Sequence, residues 1–316
     1  MLSTLYKRWR YGESRLELIA CSTYKTRLPS SGNFTAHMRN ETEFESPLAL
    51  GSVMPGRGVA QVIESDCDGL PVGAIVQARV GWQEYALIDT SDRPAPFLLP
   101  TDLPLSHGIG AVSLSGITAL IGVREIGLVK ATDRILVSGA AGGVGSHVAE
   151  IAKALGAKVI GIDINTLALE KARNLGADIV LDSAKFPNIW QEVRELTNGG
   201  VHVSLDALGI EETFQNSIRS LRKLGRHIQV GMPTGNNANV SLALLDLIYS
   251  RQLKVIGTRG MASSGFSSLL TMIDEGSVKI DSLISKKLKL SQVSEALSQF
   301  GKRSEAGITI INNFSM

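Results

Sequence analysis

Up to about residue 105 the chain consists of short apolar runs, broken at close intervals by glycine, proline, asparagine and aspartate. Within it, 59–64, 74–80 and 85–88 have the β-branched, alternating character of strands. Pro55-Gly56, Asp68-Gly69, Pro71 and Gly73 supply the turns between them. This texture predicts a small, irregular β domain. Residues 27–50 are rich in Ser, Asn, Thr and Glu with weak periodicity, and are expected to form a long loop.

Beyond residue 105 strands and helices alternate. Strands are predicted at 134–138, 158–162, 178–181, 201–205, 226–230 and 253–257. Helices are predicted at 143–155, 166–175, 189–197, 212–223 and 242–250, the first carrying Val144, Val148, Ile151, Ala152 and Leu155 on one face. Six strands separated by helices imply a parallel sheet, because parallel neighbours need crossover connections. From about Met261 the tail offers helices at 266–274 and 291–300 with strand-like pieces between them. No internal repeat and no low-complexity tract interrupts this order.

Composition narrows the classes. At roughly 150 residues per domain, 316 residues suggest two domains. Lys+Arg 32 against Asp+Glu 30 leaves +2, which gives no general electrostatic reason to bind nucleic acid or an acidic membrane. Two cysteines, Cys21 and Cys67, exclude a disulfide scaffold and a four-cysteine zinc knuckle. No apolar run approaches the ~18 residues of a membrane span. The basic opening lacks an apolar segment after it, so a cytoplasmic protein is expected. Thirty-two glycines exceed the usual ~7% and point to tight turns and close backbone approaches.

The strand at 134–138 runs into Gly139-Ala140-Ala141-Gly142-Gly143-Val144-Gly145-Ser146, where a helix opens at once. In a dinucleotide-binding fold such a turn brings backbone N–H groups to a pyrophosphate at a helix N-terminus. Gly142 would let the backbone approach the phosphates, and Gly145 would let helix pack on strand. Ala140 takes the place of the first glycine of G-x-G-x-x-G, a relaxed form of the motif. The next strand ends at Asp163, 18 residues past Gly145. An acid there accepts hydrogen bonds from the adenosine ribose and repels a 2′-phosphate, favouring NAD(H) while leaving NADP(H) open. The bland alternative is that Asp163 caps the following helix.

Together these segments resemble the medium-chain dehydrogenase/reductases. Thr118-Ala119-Leu120, the turn at 135–145 and the stretch from Val159 to Asn165 look like that family's cofactor core. Asp206-Ala207-Leu208-Gly209 and Gly225-Arg226-His227-Ile228-Gln229-Val230-Gly231-Met232 look like its fourth and fifth strands. Val53-Met54-Pro55-Gly56-Arg57-Gly58-Val59 and Gly81-Trp82-Gln83-Glu84-Tyr85-Ala86 look like its GroES-like domain, particularly in alkenal and prostaglandin-type double-bond reductases. The resemblance implies an α/β fold: a Rossmann-type, doubly wound parallel sheet with a discontinuous GroES-like β domain. The implied division is 1–108 for the first part of the catalytic domain, 109–260 for the cofactor domain and 261–316 for a return segment. It further implies cofactor contacts from Thr118, Gly139, Ala140, Gly142, Gly143, Val144, Gly145, Asp163, Asn165, Ala207, Leu208, Gly231 and Met232. Dimerisation through an edge strand of the cofactor sheet is the family's common habit.

The departures from the family matter for chemistry. In its zinc members a ligand cysteine follows the first catalytic strand, and a Gly-His-Glu follows later. Here Tyr24 stands at the cysteine position, and Arg57 and Gly58 stand where His and Glu belong. The zinc lobe has no residues to build it, and part of the opening strands is missing by the same comparison. A catalytic zinc is therefore not expected. Without a Lewis acid, hydride exchange with a simple ketone loses its main charge stabilisation. Conjugated carbonyls and quinones ask for less, since one oriented donor contributes about 10²–10³ in rate and a general acid about 10²–10⁴. The expectation is an NAD(P)H-dependent reductase of an activated C=C or a quinone, acting as a homodimer. The alternatives are an alcohol or carbonyl dehydrogenase with a tyrosine acid, and a non-catalytic cofactor-binding protein. Tyr24 is the candidate acid, against a ring simply packed on a loop. Arg57 is a candidate for orienting the substrate, against a solvated turn residue. Thr118 would lie beside the nicotinamide, against a helix-interior threonine bonding back to the chain. The five histidines form no ligand cluster, and His202 and His227 fall in predicted strands.

Overall fold

The protein's structure, a computed structural model, describes residues 13–23, 51–89, 95–103, 105–110, 112–164, 166–233, 239–258, 265–278, 284–299 and 307–314. The chain forms two compact units, one of Met1–Ile109, Lys286–Gly301 and Thr309–Met316, the other of Gly110–Ser285 and Lys302–Ile308. The loop expected at 27–50 lies outside the described residues.

The first unit is built on an antiparallel sheet. Its strands are β1 (Glu13–Thr23), β2 (Arg57–Ser65), β3 (Ile75–Arg79), β4 (Tyr85–Asp89) and β5 (Phe97–Leu98). β1 pairs with both β2 and β4, and β2 continues to β3. Period-two alternation turns Ala86 and Ile88 inward to join Val62, Val76, Ala78 and Val80, while Tyr85 and Leu87 face outward. β1 is absent from the strands that apolar runs predict. Glu13, Arg15 and Glu17 break an apolar run there, yet they preserve the period of two that a strand needs. A short helix, α1 (Leu105–Ile109), closes this part.

The second unit is a parallel sheet of β6 (Arg134–Ser138), β7 (Lys158–Asp163), β8 (Ile179–Asp182), β9 (Val201–Asp206), β10 (Leu221–Gln229) and β11 (Lys254–Gly257). Their order is β11-β10-β9-β6-β7-β8, with every pair parallel. The connecting helices are α2 (Leu114–Leu120), α3 (Gly143–Ala154), α4 (Thr166–Asn174), α5 (Ile189–Leu196) and α6 (Glu211–Arg219), followed by α7 (Gly265–Asp274). The chain leaves β6 towards β7 and β8, then returns to add β9, β10 and β11 on the other side. The direction of winding thus reverses between β6 and β9, where open α/β sheets hold their ligands. β6 and β9 are buried along nearly their whole length, as strands covered on both faces must be.

Two elements differ from their sequence patterns. The helix expected at 212–223 ends at Arg219, because Leu221 is drawn fully into the sheet opposite Val201. The register then slips until Arg226, with Leu224 in a left-handed conformation. The helix expected at 242–250 is a π-helical turn, Leu244–Ser250. Late in the chain, β12 (Ile284–Lys289), α8 (Val293–Gln299) and β13 (Ile308–Asn313) follow, and β13 pairs antiparallel with β1. Among the described residues, no helix is long and apolar enough to cross a membrane.

Candidate cofactor site

At the carboxyl end of β6 the glycines have different reasons to be there. Gly139 has φ +70°, and a Cβ on it would lie 2.8 Å from Leu208 Cγ. On Gly145 a Cβ would fall 2.1 Å from Gly139 O, so only glycine lets α3 rest on the turn before it. Gly142 caps α3 in an extended conformation, and among the described residues no side chain is bonded to the first N–H groups of that helix. Its own N–H donates to Gly139 O at 3.0 Å. The result is a bare, twelve-residue helix terminus facing out of the sheet edge, with Gly143 and Val144 half-buried in its first turn and Ala140 buried beneath.

Asp163 ends β7 beside this turn. Its Oδ2 accepts the Ala141 N–H at 3.3 Å, and Oδ1 accepts the Ile164 N–H at 2.9 Å. The half-buried carboxylate therefore braces the turn as well as bordering it. Asn165 lies outside the described residues.

The loops after β9 and β10 complete the sheet edge. Buried Asp206 organises both: Oδ1 accepts the Leu208 N–H at 2.9 Å, and Oδ2 accepts Gly209 N–H at 3.2 Å and Thr213 Oγ1–H at 3.0 Å. Its backbone oxygen accepts the N–H groups of Val230 and Gly231. Gly209, with φ +73°, would place a Cβ 2.6 Å from Gly231 O, so the two loops touch backbone to backbone. Ala207 N–H donates to Ser138 O at 3.2 Å, tying the same loop to the end of β6. Ala207, Leu208, Gly231 and the exposed Met232 thus stand together with Gly139 at the point where the winding reverses.

Comparison with known proteins agrees with this geometry. A family profile described as "Zinc-binding dehydrogenase" matches residues 143–275, and one described as "N-terminal domain of oxidoreductase" matches residues 35–94. Together they span more than half of the chain. Prostaglandin reductase 1 of Rattus norvegicus is 34% identical over 181 residues, which is 57% of this chain and 54% of the relative. Acryloyl-coenzyme A reductase of Sulfurisphaera tokodaii is 31% identical over 206 residues, 64% of this chain and 58% of the relative. The chain belongs to the medium-chain dehydrogenase/reductase superfamily. It spans about half the length of the curated relatives it matches. In fold it is similar to CurA of Vibrio vulnificus, solved with NADPH, at a TM-score of 0.78 and 21% identity over 97% of this chain and 91% of that one.

Against that superfamily's core, the remaining sequence candidates are placed as follows. Thr118 is buried in α2, and its hydroxyl donates to Leu114 O at 2.7 Å. α2 runs beside α3, with Ser115 Oγ 3.6 Å from the Cβ position of Gly143. Arg57 opens β2 in the first unit and is 7% exposed, so it is no solvated turn residue. Its Nη2 donates to Gln77 Oε1 at 3.1 Å, and Gln77 Nε2 donates to Gly108 O at 2.7 Å. Tyr24 lies outside the described residues. Among the described residues, no three His, Cys, Asp or Glu side chains converge as a metal site. Asp206 escaped the sequence reading as a functional residue. Its signal was an acid closing a predicted strand, three residues before a glycine.

Proposed function

We propose that this chain is a zinc-independent, NAD(P)H-dependent reductase of activated C=C bonds or quinones. The observation that supports it most is the bare α3 terminus, framed by Gly139, Gly142 and Gly145 and bordered by Asp163. A helix N-terminus that Gly145 lets rest on its turn, and that Gly142 opens with no capping side chain of its own, suits a pyrophosphate brought against backbone N–H groups. In this reading, Gly142, Gly143 and Val144 hold the phosphates, Asp163 takes the ribose hydroxyls and favours NAD(H), and Asn165 extends that contact. The loops at Ala207-Leu208 and Gly231-Met232, with Thr118, border the nicotinamide. The bound cofactor supplies the hydride.

Zinc has no part in this reading. Arg57 and Gly58, at the positions where the family's metal members carry ligands, offer a guanidinium and no side chain, neither of which coordinates a cation. Acceptors that spread charge through an enolate or aromatic ring fit a site without a Lewis acid. The two relatives reported above are both named as reductases, which favours the same class. Tyr24 is the proposed proton donor, and a Tyr24→Phe variant with unaltered turnover would remove it from that role.

The homodimer is part of the proposal. β11 is the outer strand of the parallel sheet, Val255 on it is exposed, and Leu244, Leu245 and Tyr249 are exposed just before it. The test of function is a substrate panel with NADH and NADPH. Rapid oxidation of NADH by enones or quinones, with none by simple aldehydes, is the expected result. Cofactor binding without turnover of any acceptor would instead identify a non-catalytic binding protein.

A further inference from the structure

Two polar cross-strand pairs stand one beyond the other in the parallel sheet. Ser204 on β9 lies opposite His227 on β10, and Asp206 lies opposite Gln229. Residues two apart in a strand share a face, so all four side chains project to one side. That side is covered by α6, whose Phe214 meets the His227 ring edge-on with centroids 5.1 Å apart. Ser204, Asp206 and His227 have no exposed surface.

The side chains form a continuous line of hydrogen bonds. Ser204 Oγ is 3.0 Å from His227 Nδ1, and His227 Nε2 is 3.1 Å from Gln229 Oε1. Gln229 Nε2 then donates to Asp206 Oδ2 at 3.2 Å and to Gly231 O at 2.8 Å. One placement of protons satisfies every member. A carboxylate and a carbonyl only accept, so the Gln229 nitrogen must face them and its oxygen must face His227. Nε2 must therefore carry the ring proton, and Nδ1 takes the hydroxyl proton of Ser204. The imidazole is neutral in this arrangement, which is the direction in which burial pushes it.

We propose that His227 and Gln229 are positioning residues for cofactor binding: together with Ser204 they orient the Gln229 amide so that it clamps Asp206 to Gly231. The inference rests on the cofactor-binding reading of the loops after β9 and β10. Asp206 holds one of these loops through Leu208, Gly209 and Thr213, and Gly231 belongs to the other. A fully satisfied buried network fixes one geometry. Loops held in their binding shape beforehand lose less freedom when a ligand arrives.

The test compares NADH dissociation constants by fluorescence titration in the full chain, with thermal midpoints followed in parallel. His227→Phe keeps the ring and removes the donor, and should weaken NADH binding by about tenfold. His227→Gln, which retains a donor, should recover much of that loss. Gln229→Glu gives a signature that lost packing alone would not. At low pH the protonated carboxyl can still donate to Asp206. As pH rises it ionises against that carboxylate, so NADH binding should weaken with pH more steeply than in the unaltered protein. If His227→Phe does not fold, Gln229→Glu carries the test alone. Unaltered NADH affinity in the variants, or a loss in Gln229→Glu that is flat with pH, overturns the proposal. Failure of the unaltered protein to bind NADH or NADPH overturns the cofactor reading itself, and this inference with it.

Discussion

Gly145 and Asp163 show how differently two motif residues depend on their surroundings. At Gly145 the constraint is steric and local. A methyl group 2.1 Å from Gly139 O forces α3 away from the turn. Gly145→Ala should therefore destabilise the protein by about 1–3 kcal/mol, read as a lower urea midpoint, and NADH binding should fall with it. At Asp163 the constraint is electrostatic. Asp163→Ser should weaken NADH about tenfold, as expected for one charge-assisted hydrogen bond, and narrow the preference over NADPH. Tighter binding of NADPH than NADH by the unaltered protein would contradict the role given to Asp163. The spacing of both residues was readable in the sequence, because a strand, a four-residue turn and a helix are set by neighbouring residues. The bond from the Ala141 N–H to Asp163 was not, since it needs β6 and β7 side by side.

At the scale of elements, β9 and β10 show where periodicity stops informing. β9 and the second half of β10 read correctly as strands, but their polar members Ser204, Asp206, His227 and Gln229 look like interruptions until the parallel register brings them opposite one another. His147 in α3 is similar: a histidine on an amphipathic helix, found buried between Gly143 O at 2.6 Å and Gly110 O at 3.0 Å. Burial holds both His147 and His227 below the ordinary imidazole value of 6.5. The unfolded chain then binds protons more readily than the folded one. Their contribution to stability is complete above about pH 6.5 and is lost as pH falls from there towards the depressed folded values. The urea midpoint should drop across that acidic window, and His147→Gln should flatten the drop.

For the whole molecule, the alternation of strands and helices after residue 105 announced a doubly wound parallel sheet, and the strand order and the family matches agree. The outer position of β11 and the exposed Val255, Leu245 and Tyr249 carry the self-association proposal. Val255→Lys should shift the protein to a monomer in light scattering after size-exclusion chromatography, with little change in thermal midpoint, because Val255 is exposed. What the sequence determined by itself was local in origin: element type follows from the period of apolar residues, and the bare helix terminus follows from glycines within a single turn. What only the tertiary structure decided depends on residues far apart in the chain. It brought β13 back to β1, set Leu208 against Gly139, buried Arg57 beside Gln77, and joined Asp206 to Gln229 beneath two loops. Such contacts arise from strand order and register, which no short window of sequence contains.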